Sequence, residues 1–361
     1  LNNWRMMNNM SMEAKLLKSI CDRSRPIRIM HICGTHERTI SRYGLRNVLP
    51  KEIEILSGPG CPVCVTPVED IDIAIALARS GIIITSYGDM LRVPGSSMNL
   101  MEARSEGCDI RTVYSIDDAI TIAKEHPSHD VVFFAIGFET TAPTNAATLL
   151  RKPPKNFSLL TSHRLIPPAL LNLLDETNID AFIAPGHVCA ITGIQPYQQF
   201  ADLGFPIVSA GFEANDVLLS ILMLLEQSRS GRPIVENAYP SVVRRKGNMK
   251  AQEMMASVFD VVDAQWRGLG TIKSSGLRLK NEFADHDAVL VHENVIRSYK
   301  KETSYERINV DKCRCADILK GKEEPDHCPL FGTDCTPVTP IGSCMVSQEG
   351  MCYNWYQYRN V

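Results

Sequence analysis

Along the chain, apolar residues gather into eight short, β-branched runs, each leading into a loop of glycine, proline or polar residues. The first four are Arg28–Ile32, Ile53–Leu56, Ile82–Thr85 and Ile110–Tyr114; the second four are Val131–Ile136, Phe157–Thr161, Ala181–Ala184 and Pro206–Ala210. Apolar and polar positions do not alternate within them, which suits strands covered on both faces. Amphipathic or alanine-rich stretches lie between many of them: Val68–Arg79, Ile116–Lys124, Pro167–Leu174 and Ala214–Leu225. Strand, helix and strand in alternation predict an α/β fold with open, mostly parallel sheets. Four runs followed by four suggest two similar halves meeting near residues 115–130, although no close sequence repeat links them.

From about residue 236 the pattern changes. Val242–Phe259 and Ser304–Val310 read as helix and loop, and cysteine, proline and glycine dominate the end. Such a tail cannot easily form its own apolar core and needs a staple, a metal or disulfides. The expected division is therefore an N-terminal extension or helix (1–23), α/β domains over 24–125 and 126–235, and a helical and loop domain over 236–361.

Composition narrows the function classes. Of 361 residues, 44% are hydrophobic, and 38 basic side chains face 41 acidic ones for a net charge of −3. That balance leaves no basic footprint for nucleic acid or an anionic membrane surface. The apolar runs fall short of the roughly 18 residues a membrane helix needs, and the N-terminus carries no export pattern, so a cytoplasmic chain is expected. The 12 cysteines then stand out. The cytosol keeps thiols reduced, which turns the reading from structural disulfides to metal or redox chemistry.

In open α/β sheets, function collects at the carboxyl ends of strands. Here those loops read Cys33-Gly-Thr-His-Glu37, Ser57-Gly-Pro-Gly-Cys-Pro-Val-Cys64, Gly137-Phe-Glu-Thr-Thr141, Pro185-Gly-His-Val188 and Gly211-Phe-Glu213. Cys61 and Cys64, two residues apart after a strand and before a helix, can form a reversible disulfide; half a zinc site or two packed thiols are the alternatives. Cys33 with His36 offers a soft and a borderline metal ligand, or a nucleophile with its base, or a buried cysteine beside a capping threonine. Glu139 and His187 could orient a ligand, or simply satisfy local hydrogen bonds. Glu213 and Asp216 read as helix caps, and Cys21, Cys108 and Cys189 as small buried hydrophobes. At the end, the spacing Cys313-x14-Cys328-x6-Cys335-x16-Cys352 leaves Cys315 and Cys344 over. Zinc sites usually show close, repeated pairs, whereas a [4Fe–4S] cluster takes four thiolates at wider spacing, so the cluster is favoured over zinc. The leftover pair could be a second redox dithiol.

Taken together, the loops resemble the HypD family of [NiFe]-hydrogenase maturation. The resemblance rests on Cys33-Gly-Thr-His-Glu37, Gly58-Pro-Gly-Cys-Pro-Val-Cys64, Gly137-Phe-Glu-Thr-Thr141, Pro185-Gly-His-Val188 and the terminal cysteine spacing with Cys335-Thr-Pro. Cys189 departs from it, standing where a serine-like residue is expected. The resemblance implies two α/β domains with small parallel sheets around a cleft, plus a C-terminal iron–sulphur domain. It implies a scaffold on which an iron with two cyanides and one carbon monoxide is assembled together with a HypC-like chaperone. Cyanide would come from a HypE-like partner, with a HypF-like protein upstream. Carried over, Cys33 would hold the assembled iron with His36 close by, Cys61 and Cys64 would be the redox dithiol, and Cys313, Cys328, Cys335 and Cys352 would bind the cluster. The rival readings are a cluster-dependent disulfide reductase acting through Cys61 and Cys64, and a zinc-stabilised interaction protein.

Overall fold

The structure is a computed structural model that describes residues 11–302 and 312–358. All eight apolar runs are strands: β1 (Ile27–His31), β2 (Ile53–Ser57), β3 (Ile83–Ser86), β4 (Ile110–Thr112), β5 (Val131–Gly137), β6 (Phe157–His163), β7 (Ala181–Pro185) and β8 (Ile207–Ala210). The four expected helices form at Val68–Arg79, Ile116–Glu125, Ile166–Leu174 and Ala214–Ser230. Strand β5 shows why these runs carry no alternation: all seven of its residues are buried, because helices cover both faces of its sheet.

The strands pair in two all-parallel sheets. One has the order β2-β1-β7-β8-β9, with a short β9 at Val235–Asn237, and the other β4-β3-β5-β6. A division of the chain at 125/126 therefore does not follow the sheets. The chain builds β1 and β2, crosses to lay down the whole second sheet, and returns to complete the first with β7 to β9. After β2 the helix Val68–Arg79 leads into β3, which pairs with β4 and β5 rather than with β1.

Beyond 236, the region expected as helix and loop also contains strands. A helix at Met249–Val258 is followed by an antiparallel hairpin, β10 (Phe259–Trp266) and β11 (Gly270–Leu279). Its alternating burial, with Phe259, Ala264 and Trp266 inside between exposed neighbours, marks a half-exposed ribbon that runs of continuous apolarity do not reveal. The segment Ser304–Val310 and the first ten residues lie outside the described residues. One continuous core joins both sheets to the tail, running from Met30 and Ile32 through Phe134 and Trp266 to Cys344 and Met351.

Strand order reverses between β1 and β7 in the first sheet and between β3 and β5 in the second. At such switch points adjacent loops part to opposite faces and leave a crevice. Cys33 follows β1, His187 follows β7, and Glu139 follows β5.

Candidate functional site

The chain turns sharply after β1, and Cys33 becomes the residue that starts the helix Gly34–Arg42. The loop after β2 lies directly against this turn. Gly58 N–H donates to the His31 carbonyl at 2.8 Å and Gly34 N–H to the Gly60 carbonyl at 3.0 Å. A side chain on Gly60 would overlap the backbone of Ile32 and Cys33, so only glycine permits this approach. Cys61, the next residue, is thereby held beside Cys33. Cys61 and Cys64 are joined as a disulfide across the short helix Pro62–Val65, with their Cα atoms 5.2 Å apart.

Cys33 is 2% exposed, and burial pushes its thiol up to about 12. His36 is fully buried, and loss of hydration drops its imidazole to about 3. Its Nε2 lies 2.8 Å from the Gly211 carbonyl after β8, so it donates there. The other nitrogen, Nδ1, keeps a lone pair and is buried with no hydrogen-bond partner. A neutral imidazole with one free lone pair is the form that ligates metals. The Phe212 ring lies between the rings of His36 and His187, at 5.2 and 5.0 Å; burial lowers His187 to about 4.

Beneath this turn, Glu37 is locked in place. Arg46 donates to both its oxygens at 2.9 and 2.8 Å, Ser41 donates to one, and His31 Nε2 donates at 2.9 Å. Burial alone would raise this carboxyl; Arg46 and His31 override it and hold it far below the usual range. Glu139 is also buried, reached by its own backbone amide and by the Ile166 amide. Its second oxygen has no partner, and burial lifts the carboxyl to about 7. Glu139 lies in the electrostatic surroundings of Cys189 and Tyr197, which form one buried cluster with Ser209. Of the three cysteines read as small buried hydrophobes, only Cys189 is; Cys21, at the end of the helix Met12–Cys21, is exposed and Cys108, in the loop before β4, is half-buried. Glu213 and Asp216 do form a capping box.

The terminal cysteines converge on the same region. Cys315 Sγ and Cys344 Sγ are 2.8 Å apart. The thiols of Cys313 and Cys315 are hydrogen-bonded, as are those of Cys352 and Cys344, while Cys335 lies in the field of Cys352 and Cys328. The Ile341 amide donates to Cys335 Sγ at 3.3 Å, and a Cβ on Gly342 would crowd Cys313 Sγ. Soft donors gathered in a glycine-lined cradle, with an amide aimed at sulfur, fit an iron–sulphur cluster. Hydrogen bonds from Cys313, Cys344 and Ser343 hold the Cys315 thiol well below its ordinary value. Ser343 also ties the tail to the disulfide loop, its hydroxyl donating to the Cys64 carbonyl at 2.7 Å.

Two residues of this region escape the sequence reading. Glu349 packs on the first helical turn, where a Cβ on Gly34 would strike its own Cβ. Burial and Asp89 raise it to about 6, with Thr35 opposing. Arg267 sits in the β10–β11 turn. Neither belongs to a motif of spaced ligands; the glycines Gly268 and Gly270 around Arg267 were the available sign of a turn.

Comparison with known proteins agrees with this arrangement. A family model described as HypD, hydrogenase formation hypA family, matches residues 9–359. A hydrogenase expression/formation protein of Methanocaldococcus jannaschii is 46% identical, covering 96% of each chain. A hydrogenase maturation factor of Bradyrhizobium diazoefficiens is 45% identical over 96% of this chain and 93% of its own. The Escherichia coli hydrogenase maturation factor HypD is 42% identical over 93% and 90%. With its Cys33 and Cys61–Cys64 loops packed together at the carboxyl ends of β1 and β2 and these relatives along almost its whole length, the chain belongs to the HypD family of hydrogenase maturation factors.

Proposed function

We propose that this chain is the platform on which the iron of a [NiFe]-hydrogenase receives two cyanides and one carbon monoxide, in the cytoplasm and in complex with a HypC-like chaperone. The iron is cargo, held by Cys33 with His36 beside it. The observation that carries the reading is the contact of three loops: Gly34 on Gly60 brings Cys33 to the Cys61–Cys64 pair, and Ser343 on Cys64 brings that pair to Cys315 and Cys344.

Cyanide arriving as a thiocyanate on a C-terminal cysteine of a HypE-like partner, itself served by a HypF-like protein, must be released reductively. One thiocyanate and two thiols give one partner thiol, one hydrogen cyanide and one disulfide. Cys61 and Cys64 supply both electrons together and end as the disulfide. Cys315 and Cys344 are placed to restore them by thiol–disulfide exchange, becoming oxidised in turn. A [4Fe–4S] cluster, held by Cys313, Cys328, Cys335 and Cys352, would supply single electrons to this region. Burial of Cys33 and His36 keeps water from the cargo, and the free Nδ1 of His36 is available to it.

The test is infrared spectroscopy of the anaerobically isolated complex with the chaperone. Cyanide and carbonyl stretches should be present and vanish in Cys33→Ala. A wild-type complex without them favours the other reading, a disulfide reductase acting through Cys61 and Cys64, which the same thiol geometry would serve.

A further inference from the structure

We propose that the exposed loop Arg244-Arg245-Lys246, together with Lys250, is the docking surface for an acidic segment of the protein that delivers the cyano group. The proposal rests on the reading that a partner carries thiocyanate to the crevice at Cys33, and it adds where that partner is held.

All four cations are exposed, and among the described residues none of them is in an ion pair. Val242 and Met249, 44% and 49% exposed, flank them. The loop that presents them is fixed from beneath. Val243 is buried, and its carbonyl accepts from Asn237 Nδ2 at 3.0 Å. The Arg245 carbonyl accepts from the Ile194 N–H at 3.1 Å, and the Asn248 N–H donates to the Ile191 carbonyl at 3.0 Å. Gln252 Nε2 reaches the Ile191 and Lys246 carbonyls, both at 2.7 Å. A side chain on Gly247, whose φ is +66°, would overlap the backbone at Gly193, so the two loops touch main chain to main chain. Cations near a helix C-terminus often serve its last carbonyls. Here backbone amides and Gln252 already serve the end of the helix Gly186–Thr192, and the charges face water.

The patch adjoins the site. His187 stands in the first turn of Gly186–Thr192 and the basic loop packs on its last, roughly 10 Å along the axis. Tyr239, five residues before Arg244, meets the Phe212 ring at 6.1 Å, and Phe212 stacks on His187 at 5.0 Å. A partner seated on the cations therefore reaches the aromatic wall beside His36. The chain as a whole has a net charge of −3, so a bare cluster of four cations runs against its average. Four charges with apolar flanks fall short of the roughly 6–10 phosphate contacts of a nucleic-acid interface and suit an acidic protein surface. A chaperone that stays bound needs a broad apolar interface. A donor that leaves after each transfer is better served by rim charges, which speed arrival more than they prolong residence.

The experiment uses the full chain in complex with the chaperone, isolated without oxygen, and a HypE-like partner as probe, with binding followed by biolayer interferometry. The triple variant Arg244→Glu, Arg245→Glu, Lys246→Glu should weaken binding by about thirtyfold or more, chiefly through slower association, and the corresponding triple alanine variant by about tenfold. Raising salt from about 50 to about 300 mM should weaken wild-type binding and leave the alanine variant nearly unchanged. Arg244→Lys with Arg245→Lys should stay within about threefold of wild type. Affinity for the chaperone should hold in every variant. Unchanged partner affinity in the reversed variant overturns the proposal. So does loss of the chaperone in place of the donor with circular dichroism unchanged, or a patch that takes duplex DNA or anionic vesicles in preference to the donor. If the reversed variant does not fold, the alanine and lysine variants decide: equal affinity in wild type and alanine variant, or equal losses in both variants, overturns the charge argument. A wild-type complex that binds no HypE-like partner instead overturns the reading of cyanide delivery on which the proposal rests.

Discussion

Removing Arg46 should damage the protein more than removing the charge it serves. Glu37 is fully buried and takes four hydrogen bonds, two of them from the Arg46 fork. Arg46 is 20% exposed, packs over the Trp355 ring, and can turn to water if its partner is lost. Arg46→Ala therefore strands an ionised carboxylate in the interior, at a cost of about 3–5 kcal/mol. Glu37→Gln leaves a neutral amide of the same shape, costing about 1–3 kcal/mol. In the Glu37→Gln background, Arg46→Ala should cost only about 1 kcal/mol, giving a coupling of roughly 2 kcal/mol or more. Thermal and urea unfolding of the four proteins measure this, and the single Arg46→Ala should lower the melting temperature by roughly 4–7 °C. If Arg46→Ala costs the same in both backgrounds, the buried pair is not what fixes the turn under Cys33.

Gly60→Ala should abolish the close approach of the disulfide loop to Cys33; loss of bound iron with secondary structure retained by circular dichroism is the expected outcome. Glu139, held at about 7 by burial, keeps its proton in the folded state to higher pH than the ~4.3 of an unfolded chain. Its contribution is complete below that value and is lost as pH rises toward 7, so Glu139→Gln should flatten the fall in stability seen by denaturant titration between pH 4 and 7. With iodoacetamide near pH 7.5, exposed Cys21 should be alkylated well before Cys33 and Cys189, both buried and at about 12, as peptide mapping would read.

The sequence exposed the strands because parallel strands buried on both faces must be continuously apolar, and β5 is the extreme case. It exposed the sulfur motifs because thiols two residues apart, or in a glycine turn, have few structural uses. It hid the pairing. The apolar pattern of β3 does not say which strand it lies beside, and only the packing of the finished core decides, so a boundary set by chain order does not follow the sheets. Strands β10 and β11 were hidden for another reason: a ribbon open to solvent on one face reads as mixed polarity, and residues such as Val261 and Asp263 obscure it. Glu349 and Arg267 were invisible because each packs against neighbours distant in sequence. No spacing rule joins Glu349 to Gly34, or Arg267 to Val65 and Cys315.

Interleaving also bears on how firmly the site is held. Two sheets joined by one linker can hinge, whereas here the chain passes between them twice, through the segment after β2 and the segment after β6. An ion pair clamps the two crossings. Asp70, on the helix Val68–Arg79, accepts from Ser162 Oγ at 2.5 Å and from Arg164 Nη2 at 3.2 Å, while Arg164 Nε donates to the Gln265 carbonyl in β10. Burial raises Asp70 and Arg164 opposes it, so the pair holds together by geometry as well as charge. The first crossing carries Cys61 and Cys64, and β10 leads to Arg267, so a loose clamp would free both from Cys33. Asp70→Asn leaves Arg164, 8% exposed, without its anion and should cost about 3 kcal/mol or more. Hydrogen exchange locates the damage: amides of residues 58–82 and 164–180 should exchange faster, while β8, in the other sheet, keeps its protection. Uniform acceleration across both sheets would mean that Asp70 supports global stability alone, and that the crossings need no clamp to keep the sulfurs together.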